Sequence, residues 1–255
     1  MLARLNRGLE NGETLQIQTY FDHTRRDYPG TFSENLHTYD IDLQRSLLRG
    51  GNHKLVLGGG YRHSRSEIIN SNALAFLPPN KTLSLANVFL QDELDLNDRF
   101  KLTIGARLER NNYTGWEKQP NVRLAWKPNE KSVLWSSIAQ AVRTPSRIDR
   151  EFYVPGSSPY STYGGGAGFV SEKLTAYEIG YRNTPNLQTT FSISTFYNDY
   201  DKLRSLEPNG STTVFANMME GHTHGVETWA SYQVADSSSK CNSQWWLGVA
   251  HLHPE

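Results

Sequence analysis

Apolar and polar residues alternate with a period of two along most of this chain, the signature of strands and not of helices. Strand-like runs fall near 14–25, 34–48, 54–66, 82–96, 100–111, 117–127, 131–143, 173–183, 187–201, 223–236 and 243–253, with a weaker one at 2–8. In 100–109, Leu102, Ile104, Ala106 and Leu108 share one face, and Lys101, Thr103, Gly105, Arg107 and Glu109 share the other. Ala86, Val88, Leu90, Leu94 and Leu96 line up in the same way, interrupted by Asp92, against Asn87, Gln91, Glu93 and Asp95. Val122, Leu124 and Trp126 oppose Asn121, Arg123 and Lys127. The run 131–143 gives no clean face, because Val133, Trp135, Ser137, Ala139 and Ala141 stand against Leu134, Ser136, Ile138, Gln140 and Val142.

The connections alternate as well. Asn97-Asp98-Arg99, Pro128-Asn129-Glu130 and Thr184-Pro185-Asn186 read as tight turns, whereas 67–81, 144–172 and 202–222 read as long excursions, with a shorter one at 112–116. Short turns on one side and long loops on the other are the habit of outer-membrane barrels. A soluble sandwich has no physical reason to place its long loops on every second connection. Several runs also reach the roughly 9–11 residues that a tilted strand needs to cross a bilayer, against about 5–6 in ordinary strands. The expected fold is all-β: an antiparallel transmembrane β-barrel, with about twelve strands in this chain.

Composition narrows the choice. Lys plus Arg and Asp plus Glu both number 26, so the net charge is zero and a nucleic-acid footprint is not expected. Mean hydropathy is −0.61 and no run approaches a transmembrane helix, which leaves a barrel open because only alternate residues of its strands meet lipid. Thirteen tyrosines suit interface girdles, although soluble β-proteins are also Tyr-rich. The one cysteine, Cys241, rules out an internal disulfide framework and reads as an incidental thiol.

Three segments go beyond pattern. Ala141-Val142-Arg143-Thr144-Pro145-Ser146 ends a strand where Pro145 removes a ladder donor. Ser171-Glu172-Lys173-Leu174-Thr175-Ala176-Tyr177-Glu178-Ile179-Gly180-Tyr181-Arg182 opens a strand of strict alternation. Phe196-Tyr197-Asn198-Asp199-Tyr200-Asp201 closes one with aromatics followed by carboxylates, and His224-Gly225-Val226-Glu227 comes after it. In this order and spacing the strings resemble the barrel of TonB-dependent outer-membrane receptors. The likeness covers most of the chain and is strongest over 82–234.

That resemblance implies a 22-stranded barrel around an N-terminal plug. It implies a place in the outer membrane of a Gram-negative cell, in contact with its lipid. It implies uptake of a scarce metal chelate or vitamin, such as a ferric siderophore or cobalamin, driven through the plug by the TonB energy-coupling complex. The start, Met1-Leu2-Ala3-Arg4-Leu5-Asn6-Arg7, shows no apolar signal region, and no coupling box or plug is recognisable. The expectation is therefore a partial barrel over 1–255, its plug and signal peptide absent. A passive or structural outer-membrane barrel, a pore or adhesin, is the alternative. No nucleophile or carboxylate constellation points to an enzyme, and no cofactor is expected.

The loop 144–172 is the candidate for ligand contact, because Arg147, Tyr153, Tyr160 and Tyr163 sit there among Gly, Ser and Pro. Arg143 below it is expected to hold the loop base. An uninvolved external loop is the plain alternative. His222-x-His224 at a loop mouth and His251-x-His253 on one strand face invite a metal reading, but two ligands in each are explained as simply by a solvated pair, and no metal is expected. Gly164-Gly165-Gly166-Ala167-Gly168 lacks the context of a phosphate cradle and reads as a flexible loop. Asp92, Glu93 and Asp95 read as lumen wall.

Overall fold

A computed structural model describes residues 1–49, 51–235 and 240–254. Among the described residues the strands are β1 Leu2–Gly8, β2 Thr14–Tyr28, β3 Phe32–Arg49, β4 His53–Ile69, β5 Ala75–Phe76, β6 Asn80–Asp95, β7 Phe100–Asn111, β8 Gly115–Asn129, β9 Ser132–Arg143, β10 Phe152–Val154, β11 Tyr163–Gly164, β12 Glu172–Asn183, β13 Thr189–Asn209, β14 Thr212–Ala235 and β15 Lys240–Pro254. One short helix, α1 Arg147–Glu151, precedes β10. The long strands pair antiparallel with their neighbours in chain order, and β1 and β15 form the two edges, so the sheet is an unclosed barrel wall. The three short strands β5, β10 and β11 pair among themselves, and β11 also runs parallel to β14.

Burial is inverted relative to a water-soluble sheet. On one face Val88, Leu90 and Ile179 are 56%, 52% and 56% exposed, and Ile104, Leu124, Leu134, Ile138 and Val226 join them. On the other face Asp40, Ser66, Glu109 and Ser192 are buried. Among the described residues the buried apolar side chains are only Ile68, Ala75, Phe76 and Phe169. A sheet in water hides its apolar face. Here that face is turned outward as a band, and aromatic pairs mark its limits, as lipid contact requires. Phe100 stacks on Trp126 at one limit, 6.1 Å apart. Phe21 and Tyr39, and Tyr177 and Tyr197, mark the other.

The inner face is wet and ion-paired. Asp40 accepts from Arg62 at 2.8 Å, and Glu93 accepts from Lys54 at 3.2 Å and Lys101 at 2.6 Å. The ambiguous run 131–143 resolves here too. Leu134, Ser136 and Ile138 are exposed on the outer face, whereas Trp135 points inward and lies across Gly180 of β12. A Cβ at Gly180 would collide with that indole, so glycine makes the notch that admits it. Trp135 Nε1 donates to Glu178 and Arg182 covers the ring at 5.7 Å. A large apolar group on the polar side is what blurred the alternation.

Two expectations need correction. Residues 202–222 are no loop: β13 and β14 continue to a two-residue turn at Gly210, whose φ is +64°. A bulge concealed this, since Lys202 has φ 59° and the register shifts between Tyr200 and Ser205, which breaks the period of two. His222 and His224 therefore lie well inside β14 and not at a loop mouth. Asp92 also leaves the lumen wall. It stands opposite Ile104 on the outer face and pairs with His53 at 2.8 Å near the short turns.

Candidate functional site

The connection between β9 and β12 leaves the wall at Pro145 and folds back over the inner face. Ser146 starts α1 with a capping box: its amide and hydroxyl donate to Asp149 Oδ2, each at 2.8 Å, and its oxygen accepts from the Asp149 amide. Five helical residues do not hold themselves together in water. Tertiary ion pairs hold them here.

Arg147 is buried. Its Nε donates to Glu151 at 2.8 Å and its Nη1 to Ser66 Oγ at 2.8 Å. The Pro78 and Pro79 carbonyls accept from the same guanidinium, which lies over Phe76 at 5.2 Å. Glu151 also accepts from Lys81 and from the Tyr113 hydroxyl at 3.0 Å. Burial, then the Glu151 charge and its hydrogen bond, push the Tyr113 phenol well above its ordinary range. Asp149 is fully buried and takes Arg143 at 3.1 Å and Arg204 at 3.4 Å. Arg143 bridges onward to Glu172 at 2.5 Å, which places it at the loop base. Arg150 Nε donates to the Phe169 carbonyl at 2.8 Å.

Burial alone would raise the Asp149 carboxyl. The hydrogen bonds from Ser146 and Arg143 outweigh it and hold the group below the usual carboxylate range. A carboxylate lowered in the folded state lends stability that is full above its unfolded value of about 3.9 and is lost as pH falls through the lowered folded one. Amide exchange over 146–151 is thus expected to speed up in acid before that of β7–β9. Equal acceleration in both would show that Asp149 is not the acid-sensitive tie.

The four candidate residues do not converge. Arg147 faces inward, its donors engaged by the chain. Tyr153 and Tyr160 come together at the tip, 5.2 Å between ring centroids. Tyr163 on β11 pairs with Val154 of β10, so it lies on the opposite face of that small hairpin from Tyr153. Within the glycine run Gly165 and Gly166 are packed, whereas Ala167 and Gly168 are exposed. A Cβ at Gly165 would strike the Arg150 carbonyl, and one at Gly166 the Phe215 carbonyl, because the run threads between α1 and β14. Asp149 and Glu151 went unnoticed in the sequence, although Ser146-x-x-Asp149 carries the capping-box spacing. Beneath the loop base a cleft of about 480 Å³ opens on the inner face, lined by Asp40, Asp42, Arg62, Arg107, Glu109 and Arg143.

A sequence model of the family described as "TonB dependent receptor-like, beta-barrel" matches residues 3–251. The chain belongs to the TonB-dependent receptor family. Solved structures carry the same barrel wall. The siderophore receptor PirA from Pseudomonas aeruginosa superposes with a TM-score of 0.72 at 16% identity, over 97% of this chain and 50% of that one. The FrpB iron transporter from Neisseria meningitidis gives 0.71 at 18%, over 94% and 40%. The alcaligin receptor FauA from Bordetella pertussis gives 0.67 at 16%, over 98% and 46%. This TonB-dependent receptor chain thus spans about half the length, or less, of the solved receptors it matches.

Proposed function

We propose that this chain is wall and loop of an outer-membrane uptake receptor of a Gram-negative cell, one that captures a scarce ligand such as a ferric siderophore or cobalamin. Lipid contacts its apolar outer face. A plug carried elsewhere in the full-length protein couples it to the TonB complex. The observation that carries this reading is the loop 144–171, whose helix α1 is drawn over the inner face by the ion pairs of Asp149 and Glu151 and by the bond from Arg147 to Ser66. A loop fastened on the inner face gives a receptor a fixed platform for its contact residues. Tyr153, Tyr160 and Tyr163 are the proposed ligand contacts, and Arg147 anchors the platform.

Aromatic anchors at a binding surface are worth about 2 kcal/mol or more each, roughly thirtyfold in affinity. Tyr153→Ala combined with Tyr160→Ala, in the full-length receptor on whole cells, is therefore expected to weaken capture of its preferred chelate at least tenfold. Radiolabelled ferric catecholates, ferric hydroxamates and cobalamin would be compared at matched surface levels. Unchanged binding of whichever chelate the parent receptor takes would dismiss the tyrosines.

A further inference from the structure

The β7–β8 hairpin carries two cations on its outer face. Arg110 stands directly opposite Trp116, and Lys118, two residues further along β8, stands opposite Leu108. Leu108 is exposed with the apolar band, and residues two apart along a strand repeat on one side, so Arg110, Trp116 and Lys118 all face outward. Directly opposed residues have Cβ atoms about 4.5–5.5 Å apart and diagonal ones about 7–8 Å, which lets an Arg and a Lys side chain converge on one small group. The Arg110 guanidinium lies over the Trp116 ring at 5.8 Å. Tyr113, in the turn of this hairpin, reaches Glu151 of α1, so the cations lie at the loop end of the wall.

Their depth can be read along β8. Trp126, stacked on Phe100, marks the turn-side limit of the apolar band, and Trp116 shares its face ten residues away. A tilted strand needs about 9–11 residues to cross a bilayer, and Trp is the residue of both interfaces. Trp116, 62% exposed, thus marks the loop-side interface. Arg110 sits at that level, and Lys118 one step inside it, in a row with Leu108 and Val88. A lysine there carries its ammonium up to the interface on an apolar stem. Among the described residues neither cation has an ion-pair partner. The carboxylates of the hairpin, Glu109 and Glu117, alternate to the inner face, where Glu109 takes Arg107 and Glu117 accepts from Ser171. At the turn end, by contrast, outer-face charges are matched within the chain, Asp92 by His53 and Arg45 by Glu13, each at 2.8 Å. Nothing here depends on β15, where the side chains of Cys241, His251 and His253 lie outside the described residues.

We propose that Arg110 and Lys118, with Trp116 between them, hold a phosphate group of an anionic lipid in the leaflet on the loop side. Two cations unmatched by the chain at the boundary of lipid and water call for an anion from the membrane itself. The guanidinium fork suits phosphate bidentately, and the ammonium adds a point charge. The indole keeps its apolar body among acyl chains and its N–H toward the headgroups. The site presupposes the membrane position proposed above. It faces lipid, so it is separate from the loop drawn over the inner face.

The test is titration of the detergent-extracted, delipidated full-length receptor with synthetic diphosphoryl lipid A, read by native mass spectrometry. One lipid should be held in clear preference to the dephosphorylated disaccharide with the same acyl chains. A basic side chain at an anionic membrane surface contributes about fivefold in affinity, so Arg110→Gln with Lys118→Gln should weaken retention about thirtyfold. Arg65→Gln removes another outer-face cation of the loop end, one already held by Glu67 at 2.7 Å, and should change nothing. Heat-modifiable migration on gels checks assembly. Should the double variant fail to assemble, the comparison of the two lipids on the unaltered receptor decides the matter. Equal retention of both lipids, full affinity in the double variant, or an equal loss in Arg65→Gln would each overturn the site. A receptor inserted in the outer membrane but indifferent to phosphate fails the site alone, whereas one that fractionates away from that membrane fails the membrane position and the site together.

Discussion

Leu90→Arg is expected to abolish assembly of the barrel, while Gln91→Arg, its immediate neighbour, leaves assembly intact. Leu90 is 52% exposed on the outer face, and its cross-strand neighbours there are Leu57 and Ala106, which offer a guanidinium nothing to pair with. Near the middle of the bilayer such a charge costs about 2–4 kcal/mol. Gln91 alternates to the wet inner face, opposite Val56 and Gly105, where an added side chain has room and water. Ile104→Arg should fall between the two, because Asp92 stands opposite it on the same outer face. The measurement is the fraction of heat-modifiable receptor recovered from outer membranes. Equal recovery of the Leu90 and Gln91 variants would mean that the two faces have been assigned the wrong way round.

Arg147→Ala should release the loop without harming the wall. The substitution leaves Glu151 without its i,i+4 partner and strips hydrogen bonds from Ser66 and from the Pro78 and Pro79 carbonyls. Breaking a buried pair by deleting one partner costs about 3–5 kcal/mol. A five-residue helix has no such reserve of its own, so α1, β10 and β11 should detach together. Limited proteolysis of intact cells should then cut within 152–166, where the parent resists, while gel migration of the barrel stays the same. Arg147→Lys keeps the charge but loses the planar fork of donors and should lie between. An Arg147→Ala receptor as resistant as the parent would show that the other arginines suffice.

The wall was legible in the sequence because lipid on one side and water on the other impose the plainest possible alternation. Leu102, Ile104, Ala106 and Leu108 need no tertiary knowledge to be sorted from Lys101, Arg107 and Glu109. Reading failed where something other than the two solvents set the residue. Trp135 is inward because Gly180 makes space for it, and those two positions are 45 residues apart in the chain. Lys202 hid a continuous strand because one bulged residue resets the phase. The candidate site fared worse for the same reason. Arg147 looks like any loop arginine until Ser66 and Glu151 are brought to it, and the glycines at 164–166 look slack until the Arg150 and Phe215 carbonyls close on them.

The loop's fastenings also set an order of events in time. Every long strand meets a partner that is its neighbour in chain order, so hairpins can form early and at small entropic cost. The loop is different: Arg147 reaches back 81 residues to Ser66, Glu151 reaches back 70 to Lys81, and Asp149 waits for Arg204, 55 residues ahead. None of these partners is in place until the wall from β4 to β13 has curved into shape. Docking of α1 is therefore a late step, and a protease-resistant loop becomes a clock hand that marks the end of wall assembly.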